Sequence, residues 1–253
     1  VGSTGCSNSS GGGTGVANED GLVVLNVAST NQPVSFDPAD ANLVVNEYTE
    51  YDCYDTLLDF NQDGTDVVPA LAESWEQVDD LTYTYKIREG VKFSDGSDLT
   101  MDDVLYSLNR VREDAYGMSY LFEHVDSFEV DEKTRTLTVH LTQPDSTWKY
   151  VPATTPCQIL KKSVVEAEGD AYGTNEGSVV GTGPYKFVSW VADSQIVLEK
   201  NEYWWGGADN LAIDKINFYV MKDASTIALA VKSGTIDFAH GFTIDVLPTY
   251  ESR

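Results

Sequence analysis

The segment from Ile216 to Ala239 restricts the fold most, because it combines a strand, a helix and a second strand in immediate succession. INFYVMKD is rich in β-branched and aromatic residues, ASTIALAVKSG has the apolar spacing of a short helix that Gly234 would end, and TIDFA favours another strand. Two strands joined in this way are normally parallel and connected by a right-handed crossover. The chain is therefore predicted to have an α/β fold.

Two elements are predicted near the start of the chain. Leu22 to Ala28 (LVVLNVA) is a nearly continuous apolar run, which favours a strand buried on both faces, and the breaker-rich NQPVSFDPAD after it predicts a loop. Residues 47–58 (EYTEYDCYDTLL) place Tyr51, Tyr54, Leu57 and Leu58 at helical spacing, which predicts a short amphipathic helix.

The middle of the chain alternates apolar and polar residues with unusual regularity. In LTYTYKIR, residues 81–88, the apolar set Leu81, Tyr83, Tyr85 and Ile87 alternates with polar residues, which is the period of a strand with one buried face. Thr100 can cap a helix that follows a Gly-containing turn. The predicted apolar stripe of that helix is Val104, Leu105, Leu108 and Val111. SFEVDEKTRTLTVHLTQ predicts a hairpin whose buried face carries Leu137, Val139 and Leu141 and whose solvent face carries His140.

Two motifs resemble ligand loops but lack essential parts. Asp59, Asn61, Asp63 and Gly64 match the first half of an EF-hand loop, yet the twelfth position is Ala70 instead of a bidentate Glu, so a hairpin turn is favoured over a calcium-dependent module.

The glycines of GTGPY, residues 181–185, lack the remaining parts of a phosphate loop, and Pro184 forbids the helix that would follow one. They predict a strand entry or a hinge. The three histidines, His124, His140 and His240, are isolated, and no metal site or cofactor is expected.

Composition narrows the class of protein. Forty-one acidic and 16 basic residues give a net charge of -25, which argues against binding to nucleic acid or to anionic lipid. Solvation of an exposed protein, adaptation to salt and attraction for a cationic ligand all remain compatible with this charge. A hydrophobic content of 42% suffices for a core, and no apolar run approaches the roughly 20 residues of a membrane span.

The cysteines point to the cell exterior. Cys6 precedes a run of small polar residues and looks like the lipidation site of a bacterial lipoprotein, although Ser3 stands where such sites usually have Leu. Residues 1–20 would then be a flexible tether, and the alternative is a free cysteine in a disordered tail. Cys53 and Cys157 either pair in an oxidising compartment or remain free thiols.

Four motifs together resemble one family. ALAESWEQVDDLTYTYKIREGVKFSDGSDLTMDDVLYSLNRV is similar to the signature region of the family 5 extracellular solute-binding proteins, the peptide, nickel and oligosaccharide receptors of ABC importers. SFDPAD, GTGPYKFVSW, and NEYWW with the pattern from Asp223 to Asp237 agree in order and spacing. The resemblance runs from about Leu22 to about Phe242 and corresponds to the N-terminal part of the family.

The resemblance implies an α/β fold arranged as a periplasmic-binding-protein-like two-lobed clamp of type II, cluster C. Residues 21–46 and 175–241 would form the α/β core of lobe I, and residues 47–174 an inserted α+β subdomain. Residues 242–253 would begin lobe II, most of which is absent from this sequence.

The resemblance also implies site residues. Asn42, Leu43 and Val44 match the extended strip that lies against the ligand backbone in peptide-binding relatives, and Tyr120 matches a pocket-lining aromatic residue. Gly181, Thr182, Gly183 and Tyr185 lie near the lobe junction, where glycines can absorb hinge rotation. For Tyr120 and Tyr185 a buried structural role is the alternative.

The implied function is capture of an extracellular solute and its delivery to a membrane permease. Closure of the lobes around the ligand needs no covalent chemistry, so the protein is not expected to be an enzyme. The expected ligand is an oligopeptide, with an oligosaccharide or a metal chelate as alternatives, and a secreted hydrolase is the rival class. The expected protein is a monomer, anchored through Cys6 at the extracellular face of the membrane or held in the periplasm.

Overall fold

The computed structural model describes residues 21–40, 52–113 and 117–240. The strands are β1 (Val24–Ser29), β2 (Leu58–Phe60), β3 (Val67–Pro69), β4 (Ala72–Asp79), β5 (Thr82–Ile87), β6 (Val125–Asp131), β7 (Thr136–Leu141), β8 (Tyr185–Val191), β9 (Gln195–Lys200), β10 (Lys215–Val220) and β11 (Phe238–His240). The helices are α1 (Met101–Glu113), α2 (Lys162–Glu168) and α3 (Ala224–Ser233).

A five-stranded sheet in the order β11-β1-β10-β9-β8 forms the lobe I core. β1 is parallel to both β10 and β11, whereas β9 is antiparallel to both β10 and β8. The predicted strand–helix–strand unit is therefore confirmed, although its second strand is only three residues long. Asp223 caps α3 through the Ser225 amide, and Gly234 ends the helix at a φ of 79°, a conformation that glycine adopts without strain.

The burial predicted for β1 is wrong for its first half. Val27, Ala28 and Ser29 are buried, but residues 22–26 are exposed or half-buried. One face of β1 packs on the core, and Asn26 on the other face bonds to the side-chain amide of Asn217 in β10. The apolar run in the sequence therefore did not indicate that residues 22–26 remain accessible to solvent.

A four-stranded antiparallel sheet in the order β4-β5-β7-β6 forms the inserted subdomain, together with α1. The predicted alternation is confirmed, since β5 buries Tyr83, Tyr85 and Ile87 and β7 buries Leu137, Val139 and Leu141. Leu81, expected on the buried face, is exposed. The predicted helix cap is also confirmed: the Asp103 amide donates to Thr100 Oγ1, and the Thr100 amide donates to Asp103 Oδ2.

The DFNQDG segment forms the turn of the β2–β3 hairpin. Asn61 Oδ1 accepts hydrogen bonds from the amides of Thr65 and Asp66, which occupies the oxygen that an EF-hand would present to calcium. The helix predicted over 47–58 is wrong at its end. Of its described residues only Asp52 and Cys53 are helical, and Leu58 begins β2 because it pairs with Pro69.

Two main hydrophobic cores divide the chain. The larger one contains buried residues between Leu57 and Ile159, and it belongs to the inserted subdomain. The second core joins β1, β8, β9 and β10 to Phe36, Cys53, Tyr54 and residues 160–179. Among the described residues, the chain passes from the second core to the larger one between Tyr54 and Leu57, and back again between Ile159 and Leu160. Both positions lie inside the predicted subdomain boundaries at residues 47 and 174, and those boundaries stay predictions.

The two described cysteines are free thiols, so the disulfide alternative is wrong. Cys157 lies in the subdomain core and Cys53 in the lobe I core, which keeps them apart. Burial raises the pKa of the Cys157 thiol to about 12, so this thiol stays protonated and unreactive. Within the described ranges, no helix combines the length and the apolar character that crossing a bilayer demands.

Candidate functional site

The carboxyl ends of three parallel strands define the edge where a ligand is expected. β1 ends at Ser29, β10 at Val220 and β11 at His240, and these ends are neighbours in the sheet. In open α/β sheets, ligands bind in the crevice outside the carboxyl ends of the strands. The loop that leaves β1 at this edge contains SFDPAD, residues 35–40, and we call it the SFDPAD loop.

The SFDPAD loop is anchored by one aromatic side chain. Phe36 is fully buried, and its ring meets Phe187 at 5.3 Å and Trp190 at 5.9 Å between centroids, both edge to face. Its amide donates to the Gly173 carbonyl. The loop therefore leaves the sheet in a defined direction.

The predicted strip Asn42, Leu43 and Val44 lies outside the described residues, as does Cys6. Tyr120 is described and stands on the surface with 64% of its area exposed, in the 3-10 turn Ser119–Phe122. Phe122 in the same turn is buried against Trp148, at 5.6 Å between ring centroids. Tyr120 is therefore an exposed aromatic side chain on an anchored turn, and the buried alternative does not apply to it.

The GTGPY loop leads directly into β8, so the predicted strand entry is confirmed. Gly181 and Gly183 lie against the backbone of Cys53, and a Cβ on Gly181 would come within 2.0 Å of the Cys53 carbonyl oxygen. The Gly183 amide donates to that same oxygen at 3.0 Å. These glycines allow a close approach of two backbones. Tyr185 is buried and donates its hydroxyl to the Ile213 carbonyl, which fits the structural alternative.

Asp55 connects three segments that are distant in sequence. Its Oδ2 accepts one hydrogen bond from Thr182 Oγ1 at 2.9 Å and another from Trp205 Nε1 at 2.8 Å. Trp205 also packs on the subdomain core, and the Arg88 guanidinium stacks 4.6 Å above its ring. The helix–strand connection, the GTGPY loop and the NEYWW segment therefore meet at one carboxylate.

Further backbone contacts surround Asp55. The Ser94 amide donates to the Gly181 carbonyl, and the Asn201 side-chain amide donates to the Gly183 carbonyl. We call Asp55, Ser94, Thr182, Asn201 and Trp205 together the junction. The junction joins the lobe I core to the inserted subdomain.

Burial raises the pKa values of two carboxyl groups at and beside the junction. Desolvation raises the pKa of the Asp55 carboxyl to about 6, against the opposing effect of its hydrogen bonds to Trp205 and Thr182. Desolvation also raises the pKa of Asp52 to about 7. Among the described residues, no group of three or more His, Cys, Asp or Glu side chains could hold a metal ion. Thr182 and Trp205 are bonded to Asp55, and Ser94 and Asn201 are bonded to the carbonyls of Gly181 and Gly183, an arrangement that serves structure.

Sequence reasoning missed Asp55 and Arg110. Asp55 stood inside a segment interpreted as helix, and Arg110 was not singled out from the sequence. A single acidic residue in the otherwise uncharged YDTLL was the only available signal for Asp55. The partners of both residues are remote in sequence, so no local pattern identifies them.

Three similar proteins place these features in context. The dipeptide-binding protein DppE of Bacillus subtilis is 28% identical over 241 residues, which cover 88% of this chain and 44% of that protein. The solved structure of the periplasmic binding protein DppA from Helicobacter pylori, in complex with the peptide STSA, superimposes with a TM-score of 0.79 at 27% identity, covering 91% of this chain and 49% of that one. A nickel ABC transporter structure from Bacillus halodurans gives a TM-score of 0.75 at 25% identity over 91% of this chain and 45% of that one. The chain thus spans less than half the length of these proteins.

The fold is accordingly that of the periplasmic-binding-protein-like solute receptors, of which this chain forms a partial lobe. The family model of the bacterial extracellular solute-binding proteins, family 5 Middle, matches residues 66–253. The chain belongs to this family, as the four sequence motifs indicated.

Proposed function

We propose that this chain is part of the substrate-binding component of an ABC importer, which captures an extracellular solute and delivers it to a membrane permease. The family match over residues 66–253 carries this proposal. The SFDPAD loop at the carboxyl edge of the sheet supports it, because that edge is where α/β folds bind ligands.

An oligopeptide is the ligand that we favour. The similar DppE is named for dipeptides and the Helicobacter DppA holds a peptide. An exposed aromatic residue such as Tyr120 can contact varied side chains, and an extended strip at Asn42, Leu43 and Val44 can pair with the peptide backbone whatever its sequence. The nickel transporter structure supports a metal chelate as the second candidate, and an oligosaccharide is the third.

Lobe closure is the proposed mechanism. A ligand that contacts both lobes stabilises the closed state by its differential affinity, and the permease then recognises that state. No bond in the ligand is made or broken, so the proposed protein is not an enzyme. In this proposal the protein is a monomer that is either anchored by a lipid on Cys6 at the extracellular face of the membrane or held in the periplasm.

The hinge proposal concerns Gly181, Thr182, Gly183 and Tyr185. If this loop bends during closure, the hydrogen bond from the Gly183 amide to the Cys53 carbonyl must weaken in one state. Hydrogen exchange at the Gly183 amide should then differ between ligand-free and ligand-bound full-length protein. Equal exchange in both states would place the hinge elsewhere.

Native mass spectrometry of the full-length protein, purified without its lipid anchor, tests the ligand class. We expect a set of small masses that resolve to short peptides, and we expect Tyr120→Ala to reduce the amount retained. Tyr203→Ala is a matched control, since Tyr203 is also an exposed tyrosine but packs beside Gly96. A single metal-chelate or sugar mass would keep the binding function and replace the peptide, whereas conversion of an added peptide into fragments would contradict the non-enzyme proposal.

A further inference from the structure

The SFDPAD loop of lobe I is held by a side chain from the inserted subdomain. Arg110, on α1, donates to both oxygens of Asp37, with Nη1–Oδ1 at 2.7 Å and Nη2–Oδ2 at 2.6 Å. The two side chains are 13% and 9% exposed, which makes this pair the most buried of the described ion pairs. A buried fork-to-fork contact of this kind fixes direction as well as distance.

Every described contact of Asp37 helps to define the loop. Its amide donates to Ser35 Oγ at 2.9 Å, and its Oδ1 accepts the Ala39 amide at 3.0 Å. Gly173 lies so close that a Cβ there would come within 2.5 Å of the Asp37 nitrogen, and its φ of +73° also favours glycine. The Asp37 carboxylate therefore joins the loop's own turn to Arg110.

The other end of the contact is rigid. α1 begins with the Thr100–Asp103 cap and buries Val104, Leu108 and Val111 in the subdomain core. A site supported by a packed helix is held more accurately than one supported by loops alone. Arg110 therefore fixes the SFDPAD loop, at the carboxyl edge of the sheet, relative to the subdomain core.

Stability alone is a weak reason for such a pair. Replacing a buried ion pair by apolar residues of similar size is often neutral or stabilising, because the desolvation of two charges offsets their attraction. The specific property of this pair is its geometry, and the loop that it holds leaves β1 at the carboxyl edge of the sheet, where α/β folds bind ligands.

We propose that Arg110 is a positioning residue for ligand binding, through which the inserted subdomain holds the SFDPAD loop, at the carboxyl edge of the sheet, in the binding geometry. This inference rests on the proposed function. It assigns to the inserted subdomain a role in the site beyond any direct contact of Tyr120 with ligand.

The test uses full-length protein in four forms: wild type, Arg110→Lys, the double variant Asp37→Asn with Arg110→Met, and Leu137→Ala. Lys keeps the charge and loses the fork, and the double variant removes both charges, so that no uncompensated buried carboxylate threatens folding. Leu137→Ala is the control, because it weakens the same subdomain core without touching the loop.

The first readout is amide hydrogen exchange without ligand. In both Arg110 variants we expect fragments from residues 34–40 to exchange about tenfold faster while β5 and β7 are unchanged, and in Leu137→Ala the reverse. Unchanged exchange in 34–40, or equal acceleration of the whole protein, would overturn the proposal.

The second readout is calorimetric titration with trialanine at a temperature where all four forms are folded. We expect Arg110→Lys to lose about tenfold in affinity and Leu137→Ala to stay within about twofold of wild type. Equal losses in the two variants would show that Arg110 is merely structural. If wild type itself does not bind trialanine, the peptide assignment fails, and the exchange result still decides whether Arg110 positions the loop.

Discussion

The two sheets of this molecule are built in opposite ways. In the inserted subdomain, β4 and β5 are consecutive in the chain, as are β6 and β7, and all pairs are antiparallel. In the lobe I core, β1 lies between β10 and β11, and Asp214 Oδ2 accepts a hydrogen bond from the Val23 amide across 191 positions of sequence. The hairpins β4–β5 and β6–β7 can form from local contacts and are then joined by the pairing of β5 with β7, whereas the pairing of β1 with β10 requires the closure of a much longer loop.

The faces of the two sheets differ as well. The inner strands of the subdomain sheet, β5 and β7, bury one face in the larger core, whereas the edge strands β4 and β6 are only partly buried. The lobe I sheet buries one face, while α3 covers only part of the other, beside Ala28 and Val231. The rest of that face carries a row of polar contacts from Gln195 through Asn217 and Asn26 to Asp237. A regular alternation of apolar and polar residues therefore indicates a sheet face that is buried, and polar residues within an apolar run indicate a face that is accessible to solvent.

The strongest test of this comparison is a cavity in the subdomain core. Leu137→Ala should lower the free energy of unfolding by about 3 kcal/mol, because it removes a fully buried side chain from a packed core. Thr138→Ala, on the half-exposed face of the same strand, should cost about 0.5 kcal/mol or less. Urea denaturation measures both values, and similar costs would show that the two faces are not distinct.

The junction between the two sheets should make stability depend on pH. Burial raises the pKa of Asp55 to about 6, whereas the same carboxyl in the unfolded chain has the ordinary aspartate pKa of 3.8, so the folded chain binds more protons between these values. The free energy of unfolding should therefore rise as the pH falls from about 7 to about 4, by roughly 2 kcal/mol from this group. Asp52, with a pKa of about 7, acts in the same direction.

Asp55→Asn provides the control for that pH dependence. The variant keeps a hydrogen-bond acceptor for Thr182 and Trp205 and loses the ionisation, so the slope of stability against pH should decrease between pH 4 and 7. An unchanged slope in thermal melts would assign the pH dependence to other carboxylates.

The polar face of the lobe I sheet should show a smaller effect. Asn217 is 8% exposed, accepts from Gln195 Nε2 at 3.1 Å and donates to Asn26 Oδ1 at 3.0 Å. Asn217→Ala removes both of these hydrogen bonds and should cost about 1.5 kcal/mol. Gln195→Ala removes only the end of the row and is expected to cost less; a larger cost for Gln195 would contradict the central place of Asn217.

The reaction rates of the two buried thiols show how readily each of the two cores opens. Cys157 reports on the subdomain core and Cys53 on the lobe I core. In a Cys6→Ser background under mild denaturant, Cys53 should react with a thiol reagent about tenfold faster than Cys157, because its core depends on non-local pairing. Equal rates would mean that the two cores open as one unit.

Much of the subdomain was predictable from the sequence. The alternation in LTYTYKIR and TLTVHL and the Thr100 cap act over neighbouring residues, so local patterns identified β5, β7 and the start of α1. The helix expected over residues 47–58 was misassigned at its end, because the pairing of Leu58 with Pro69 overrides the helical spacing.

The sequence by itself determined the α/β class, the strand–helix–strand unit from β10 to β11 and, through four motifs, the family. Only the tertiary structure decided that Asp55 binds Thr182 and Trp205, that Arg110 holds Asp37, and that Cys53 and Cys157 lie in separate cores. The reason is physical: periodicity and capping are set by residues within a few positions of one another, whereas a buried carboxylate is paired by whichever distant segment the packed cores bring to it.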